Sequence, residues 1–245
     1  MVGVGASAGG LKALEGLFGN MPEHPGMAFV VVQHLDPSQE SHMAELLERS
    51  TSLTVSNASD GERPQPDHVY FKPSDKDIVI ENGQLRLVAP EDGKAKRLSI
   101  DRFLRSLARE LGERAIGVVL SGAGSDGALG IQEVKGHGGL AIVQDDKQAE
   151  YPSMPQQAIA TGMVDLILPA EEIHEALTNY AEHATVTRPG VEAESRDAEE
   201  GLQAILQHVR TRTGRDFAQY KRNTLRRRIG RRMAALQIQD RSAYE

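Results

Sequence analysis

The chain has 245 residues, 39% hydrophobic and 26% charged, with a formal net charge of −7, no cysteine and no tryptophan. That is enough apolar material for one full-sized core and a smaller second unit, and the absence of cysteine excludes disulfides and thiolate metal sites. No apolar run reaches the roughly 20 residues of a spanning helix and no signal-peptide pattern opens the chain, so a cytoplasmic protein without membrane insertion is expected; aromatics at 4% argue against a stacking platform for nucleic acid.

In chain order, residues 2–6 read as a buried strand, followed by a glycine turn and a helix over about 10–19. "MAFVVVQHL" (27–35) is a second buried strand, followed by helix-forming "SHMAELLERS". "HVYF" (68–71), "DIVI" (77–80) and "QLRLV" (84–88) read as short strands, with Asn82-Gly83 as a hairpin turn between the last two. A helix over 98–112 places Ile100, Phe103, Leu104, Leu107 and Leu111 on one face. "AIGVVLSG" (115–122) is a third buried strand, and a helix begins near residue 127. "LAIVQ" (140–144) and "VDLIL" (164–168) are further strands, followed by a helix over 169–184. Buried strands alternating with helices predict an α/β fold: a doubly wound, mostly parallel sheet with helices on both faces.

The stretch 186–198, polar and containing Pro189-Gly190, reads as a linker between a main α/β domain (1–185) and a small α-helical segment (199–245) with helices over 199–213 and 217–236. Charge divides the same way. Residues 197–245 hold 11 Lys/Arg against 6 Asp/Glu, whereas residues 1–196 hold 17 against 29.

In an open α/β sheet, ligands bind beyond the carboxyl ends of the strands. Selecting polar residues just after buried strands picks out Ser7, His34 and Asp126. His24 and His68 precede strands, His42, His174, His183 and His208 lie in helices, and His137 ends one. For the acid, Asp36 shares the loop of His34, while Asp145 and Asp146 follow "LAIVQ" and stay as rivals. Asp126 is favoured because Gly122, Gly124 and Gly127 allow tight turns. A serine becomes a nucleophile when a base takes its proton, neutral imidazole is the base available near pH 7, and a carboxylate fixes its tautomer. Backbone N–H groups of the glycine loops would hold an oxyanion; losing one such donor typically costs about 2.7–4 kcal/mol.

Taken singly, each residue has a plainer role: Ser7 in a phosphate-holding or merely close-packed glycine turn, His34 as a core histidine, Asp126 as a helix cap. The turn is not a P-loop, since no Gly-Lys-Ser/Thr follows, and no acidic residue ends the second strand as a dinucleotide site would require.

The segments "VGVGASAGGLKAL", "VVVQHLDPSQESHMAELLERST", "DHVYFKPSDKDIVI", "VVLSGAGSDGALGIQEVKGHGGLAIVQD" and "YPSMPQQAIATGMVDLILPAEEI" occur in order. Together they resemble the catalytic domain of the CheB-type chemoreceptor methylesterases over residues 1–183. The resemblance implies a Ser-His-Asp triad of Ser7, His34 and Asp126. It also implies hydrolysis of receptor glutamate methyl esters, with deamidation of receptor glutamines as a further activity. No metal or cofactor is implied. The active-site loop would comprise Ala8, Gly9, Ala123 and Gly124. Two of these depart from the family pattern: Ala8 stands where threonine is common, and Ala123 where a methionine donates its backbone N–H. The family's usual receiver domain has no counterpart among these residues. A non-catalytic receptor-binding module that retains the fold is the alternative, and a phosphate-binding protein a third.

The basic tail, "LQAILQHVRTRTGRDFAQYKRNTLRRRIGRRMAALQIQDRSAYE", resembles the N-terminal helical domain of CheR-type receptor methyltransferases. The chain thus resembles a piece trimmed from an esterase–methyltransferase fusion. S-adenosylmethionine is expected only in a methyltransferase body that lies outside this sequence but within the same full-length polypeptide. Leu225, Ile229, Met233 and Leu236 form an apolar stripe on the second tail helix. Arg226, Arg227, Arg228, Arg231 and Arg232 cover the rest. These arginines form either a solvated face or a docking face for acidic chemoreceptor helices; nucleic acid is disfavoured by the few aromatics and the acidic main domain.

Overall fold

A computed structural model describes residues 1–33, 42–90, 98–186 and 196–214, and beyond these positions 222, 225, 229, 230, 232, 233 and 238. The chain divides into two units, Met1–Glu175 and Ala176–Glu245. The elements in order are β1 (Val2–Ala6), α1 (Gly10–Gly19), β2 (Ala28–Gln33), α2 (Met43–Glu48), β3 (Thr54–Asn57), β4 (His68–Phe71), β5 (Asp77–Glu81), β6 (Gln84–Val88), α3 (Ser99–Leu111), β7 (Ile116–Val119), α4 (Ala128–Gly136), β8 (Leu140–Gln144), α5 (Ser153–Ala160), β9 (Leu166–Leu168), α6 (Ile173–Val186) and α7 (Arg196–Thr213).

Seven strands form one sheet in the order β3-β4-β2-β1-β7-β8-β9, and every neighbouring pair is parallel. This is the predicted α/β sheet. β5 and β6 pair separately as the predicted antiparallel hairpin, with Asn82 and Gly83 both at positive φ in its turn. From β1 the chain passes to β2 and on to the edge strand β3, and β4 then comes back to lie between those two, all on one side of β1. It then returns across α3 to β7 on the other side. The order therefore reverses between β1 and β7, the switch point where such sheets open a crevice at their carboxyl ends.

The two faces of β1 are built differently. Val2, Val4 and Ala6 are buried on one face. Beyond that face lies α1, whose Phe18 meets Phe29 of β2 edge-to-face with centroids 5.2 Å apart. On the other face Gly3 and Gly5 leave room for α3. A Cβ on Gly3 would lie 2.7 Å from Leu104 Cδ2, and one on Gly5 would lie 2.3 Å from Ile100 Cγ2. The Gly-x-Gly spacing ahead of Ser7 thus serves close helix–sheet packing. The core on this face joins Val30, Val32, Ile100, Phe103, Leu104, Leu107, Ile131 and Val134 with Ile78, Ile80 and Leu85 of the hairpin.

Two elements go beyond the sequence expectation. β3, "TVSN", is an edge strand bonded only to β4, with no fully buried residue to produce a periodic signal. α5, "SMPQQAIA", contains Pro155, but in its first turn, where a missing N–H costs nothing. In the second unit, α7 buries Leu202 and Ile205, and helical positions 225 and 233 bury Leu225 and Met233. Part of the expected linker, 187–195, lies outside the described residues.

Candidate active site

Ser7 follows the last residue of β1 at the switch point. Its N–H donates to the Ser121 carbonyl at 3.0 Å, and its carbonyl accepts the Gly10 N–H at 2.9 Å and the Gln33 side-chain amide at 3.4 Å. The turn is closed by Gly9, which caps α1 at φ 68°, in the left-handed region that favours glycine. A Cβ there would also sit 2.8 Å from Ser121 Oγ. Ser7 is therefore held on a short, bonded turn with the N-terminal end of α1 immediately behind it.

β7 and β8 contribute the adjoining loops. Beyond β7, Leu120 N–H continues the ladder to Gly5 carbonyl at 2.9 Å. The buried Ser121 then ties three segments together. Its N–H donates to Gln144 Oε1 at 2.8 Å, its hydroxyl donates to the Ala8 carbonyl at 2.9 Å, and the Tyr151 N–H donates to that same hydroxyl at 3.0 Å. Gly122 is clamped between the Tyr151 carbonyl and the Met154 N–H, each at 3.0 Å. A Cβ on Gly122 would lie 2.1 Å from Met154 Sδ and 3.0 Å from Ser7 Cβ, so a side chain here would displace Met154 and crowd Ser7. Gly124 and Gly127 do turn at positive φ, 94° and 96°.

Asp126 is buried on this loop. Its carboxylate accepts the N–H groups of Ile100 at 2.9 Å and Asp101 at 2.8 Å, at the start of α3, and its own neighbour Gly127 at 2.9 Å. Asp101 reciprocates. Its Oδ1 accepts Gly127 N–H at 2.9 Å and Gly130 N–H at 2.7 Å at the start of α4. Each aspartate thus caps the helix that carries or follows the other. Asp101 is almost completely enclosed, and its Oδ2 has no hydrogen-bond partner. Burial, reinforced by the neighbouring Asp126, raises its pKa to about 6 against opposing bonds from Gly130 and Gly127 and the charge of Arg105.

The sequence-selected residues fall as follows. Ser7 and Asp126 lie on adjoining loops at the carboxyl edge. His34 lies outside the described residues, as do Asp36 and Arg226, Arg227, Arg228 and Arg231; β2, which precedes His34, ends with Gln33 opposite Ala6. Ala8 and Gly9 sit on the Ser7 turn, half-buried, while Ala123 and Gly124 are exposed. Of the rival acids, Asp145 accepts the Lys147 N–H at 3.0 Å and Asp146 accepts the Gln156 side-chain amide at 3.1 Å. Among the described residues no group of three His, Cys, Asp or Glu side chains could hold a metal ion. None of their helices is long and apolar enough to cross a membrane. Arg232 is exposed on a helical position. The sequence reading missed Asp101 and Ser121. An acid in a helix's first turn reads as an exposed dipole partner, and one serine among glycines reads as a loop residue.

A doubly wound α/β domain with a serine turn and a capped carboxylate at its switch point defines a class of hydrolase-like architecture, and the comparisons narrow it. The family model for CheB methylesterase matches residues 2–177; the chain belongs to that family. A second model, the all-alpha domain of CheR methyltransferase, matches residues 200–244. The protein-glutamate methylesterase/protein-glutamine glutaminase of Nitrosospira multiformis is 34% identical over 191 residues, 78% of this chain and 54% of that protein. An uncharacterized 104.1 kDa protein of Rhodobacter capsulatus is 34% identical over 223 residues, 82% of this chain and 23% of that protein. The crystal structure of the Thermotoga maritima CheB methylesterase catalytic domain superposes with a TM-score of 0.68 at 33% identity, over 72% of this chain and 96% of that one. The chain spans about half the length of the first of these relatives and less of the second.

Proposed function

We propose that residues 1–185 hydrolyse glutamate methyl esters on chemoreceptors, with deamidation of receptor glutamines as the related reaction. The observation that carries the reading is the joining of Ser7 to the β7 loop of Asp126 at the switch point, in a chain of the CheB methylesterase family. Ser7 Oγ attacks the ester carbonyl as His34 takes its proton. The tetrahedral intermediate collapses, and the imidazolium returns the proton to departing methanol. That collapse leaves the glutamyl group as an ester on Ser7; water, deprotonated by the same imidazole, attacks its carbonyl, the bond to Ser7 Oγ breaks, and the imidazolium returns the proton to Oγ as the glutamate leaves. Asp126 orients the imidazole. A carboxylate can accept several hydrogen bonds at once, so taking the N–H groups of Ile100, Asp101 and Gly127 is no bar to that role. Ala8, Gly9, Ala123 and Gly124 would furnish oxyanion donors from the backbone, which alanine at 8 and 123 supplies as well as a longer side chain would. The reaction so written draws on no metal or cofactor. S-adenosylmethionine would act only in a methyltransferase body of the same polypeptide. The proposed site of action is the cytoplasm, on cytoplasmic helices of such receptors.

A second reading, a non-catalytic receptor-binding module, is favoured by one observation: Asp126 already serves as the cap of α3. Methanol release from methylated receptor decides between them. Wild type should release methanol and a folded Ser7→Ala variant should not, by several orders of magnitude. Equal release from both sinks the catalytic reading, and release from neither leaves the binding module.

A further inference from the structure

We propose that Asp101 is a positioning residue of the esterase site: it fixes the loop that carries Asp126 and sets a second negative charge behind it, so the base that Asp126 supports holds its proton more tightly. The inference rests on the esterase reading and assigns Asp101 a part in it.

The geometry is reciprocal. Asp101 N–H donates to Asp126 Oδ1 at 2.8 Å, and the Gly127 N–H lies 2.9 Å from one oxygen of each carboxylate. Asp101 also takes Gly130 N–H at 2.7 Å. Moving Asp101 therefore moves the loop that carries Asp126. The second oxygen of Asp101 is enclosed without a partner, a costly arrangement for a residue that only caps a helix. A capping amide would accept the same two N–H groups with no charge. What the carboxylate adds is a negative potential in a site sheltered from water.

Among the described residues few other charges act on Asp101. Burial raises its pKa to about 6; the Gly130 and Gly127 N–H bonds and Arg105, one turn along α3, oppose that rise, and Asp126 adds to it. On α4, Lys135 pairs with Asp165 and Glu133 lies 3.7 Å from His137. On β5, Asp77 is held by Arg102 at 2.9 Å. The segments of β1 and β2 packed on α3 offer Gly3, Gly5, Val30 and Val32, none titratable. Glu113 and Arg114 lie past the opposite end of the helix.

The test is the pH dependence of kcat/KM for p-nitrophenyl acetate and for methylated receptor, using the full chain and its Asp101→Asn and Asp101→Ala variants. Asn keeps the acceptor and removes the charge. It should move the acid limb down by about one pH unit, because a nearby negative charge favours the imidazolium. The plateau should fall less than tenfold. Ala should lower the plateau further, since it also frees the loop. An acid limb for Asp101→Asn that superposes on wild type overturns the proposal, whatever happens to the plateau. In unmutated protein, the carboxyl carbon resonance of Asp101 should show it ionised on the plateau above the acid limb, so a variant that fails to fold does not decide the matter; a carboxyl still protonated above pH 8 overturns the proposal. Ser7→Ala is run alongside. If it hydrolyses both substrates as wild type does, the esterase reading itself has failed, a result distinct from an unshifted limb.

Discussion

Ile100 packs against the bare α-carbon of Gly5, where an added Cβ would lie 2.3 Å from its Cγ2, while its own N–H donates to Asp126 at 2.9 Å. One residue thus links the strand that ends at Ser7 to the carboxylate across the crevice. The missing side chain at position 5 lets α3 come close enough for its first turn to reach the β7–α4 loop.

Gly5→Ala should therefore disturb both stability and site. Overpacking of a filled core costs about 1–3 kcal/mol, and the displaced α3 would take Asp126's N–H donors with it. Denaturant midpoints and ester turnover measured together should both fall. Gly136→Ala is the control, because nothing lies within 4 Å of a Cβ at that position in α4. It should leave stability unchanged or raise it by up to about 1 kcal/mol through helix propensity. Equal destabilisation by the two substitutions would contradict the packing argument.

Asp101 predicts an unusual pH dependence of stability. Its folded pKa, about 6, lies above the ordinary aspartate value of 3.8. Between those values the folded chain binds the proton more tightly than the unfolded chain. The protonated carboxyl is thus the form that suits its enclosure, and stability is lost as pH rises from about 4 to about 6. The shift corresponds to a cost on the order of 3 kcal/mol above pH 6. Asp101→Asn, which keeps the acceptor without the charge, should raise the melting temperature at pH 7.5 and change it little at pH 4.5. A melting temperature lowered equally at both pH values would show that the amide fails to replace the cap.

How far the sequence foretold this molecule depended on where each residue's energy comes from. The strands β1, β2, β7 and β8 were legible because both of their faces are buried, so each is a continuous apolar run. Edge strand β3 takes its stability from bonds to β4, which leave no mark on side-chain choice. The strand-end placement of Ser7 and Asp126 was legible because each follows a continuous apolar run, at the edge where ligands of such sheets bind. Asp101 and Ser121 were not, since their roles exist only through partners 25 and 113 residues away, Asp126 and Ala8. Gly3 and Gly5 look like part of a ligand-holding loop in the sequence; the partner that explains them, α3, is about 100 residues downstream.

Ser121 predicts a loss of turnover larger than its loss of stability. Its hydroxyl satisfies the Ala8 carbonyl and the Tyr151 N–H at once. Ser121→Ala leaves both groups unsatisfied, at a cost of roughly 1–3 kcal/mol each where water cannot reach them. Because Ala8 adjoins Ser7, the loosened peptide should misplace the nucleophile. The value of kcat should drop at least tenfold while KM for a small ester stays within a few-fold. A variant with wild-type kcat would make Ser121 a stability residue only.

The arginines of the tail predict a separation between capture and chemistry. Arg232 is exposed at a helical position, and Leu225 and Met233 at two other helical positions are buried. This accords with the division of an amphipathic helix into an apolar stripe and a basic face. Residues 200–244 match the all-alpha domain of CheR methyltransferase, and the proposed substrate is an acidic receptor helix. Exposed charge pairs steer association more than they add final affinity, and salt screens them over a Debye length of about 8 Å at physiological ionic strength. Neutralising Arg226, Arg227, Arg231 and Arg232 together should weaken receptor capture at low salt and flatten its salt dependence. Hydrolysis of p-nitrophenyl acetate should stay as in wild type, since Ser7, His34 and Asp126 are untouched. Replacing Leu225 or Met233 by a polar residue should instead lower helix content, seen by circular dichroism at any salt concentration. Receptor binding of the quadruple variant across a salt series decides the point: an affinity and a salt slope both equal to wild type would leave the arginines as a solvated face with no partner.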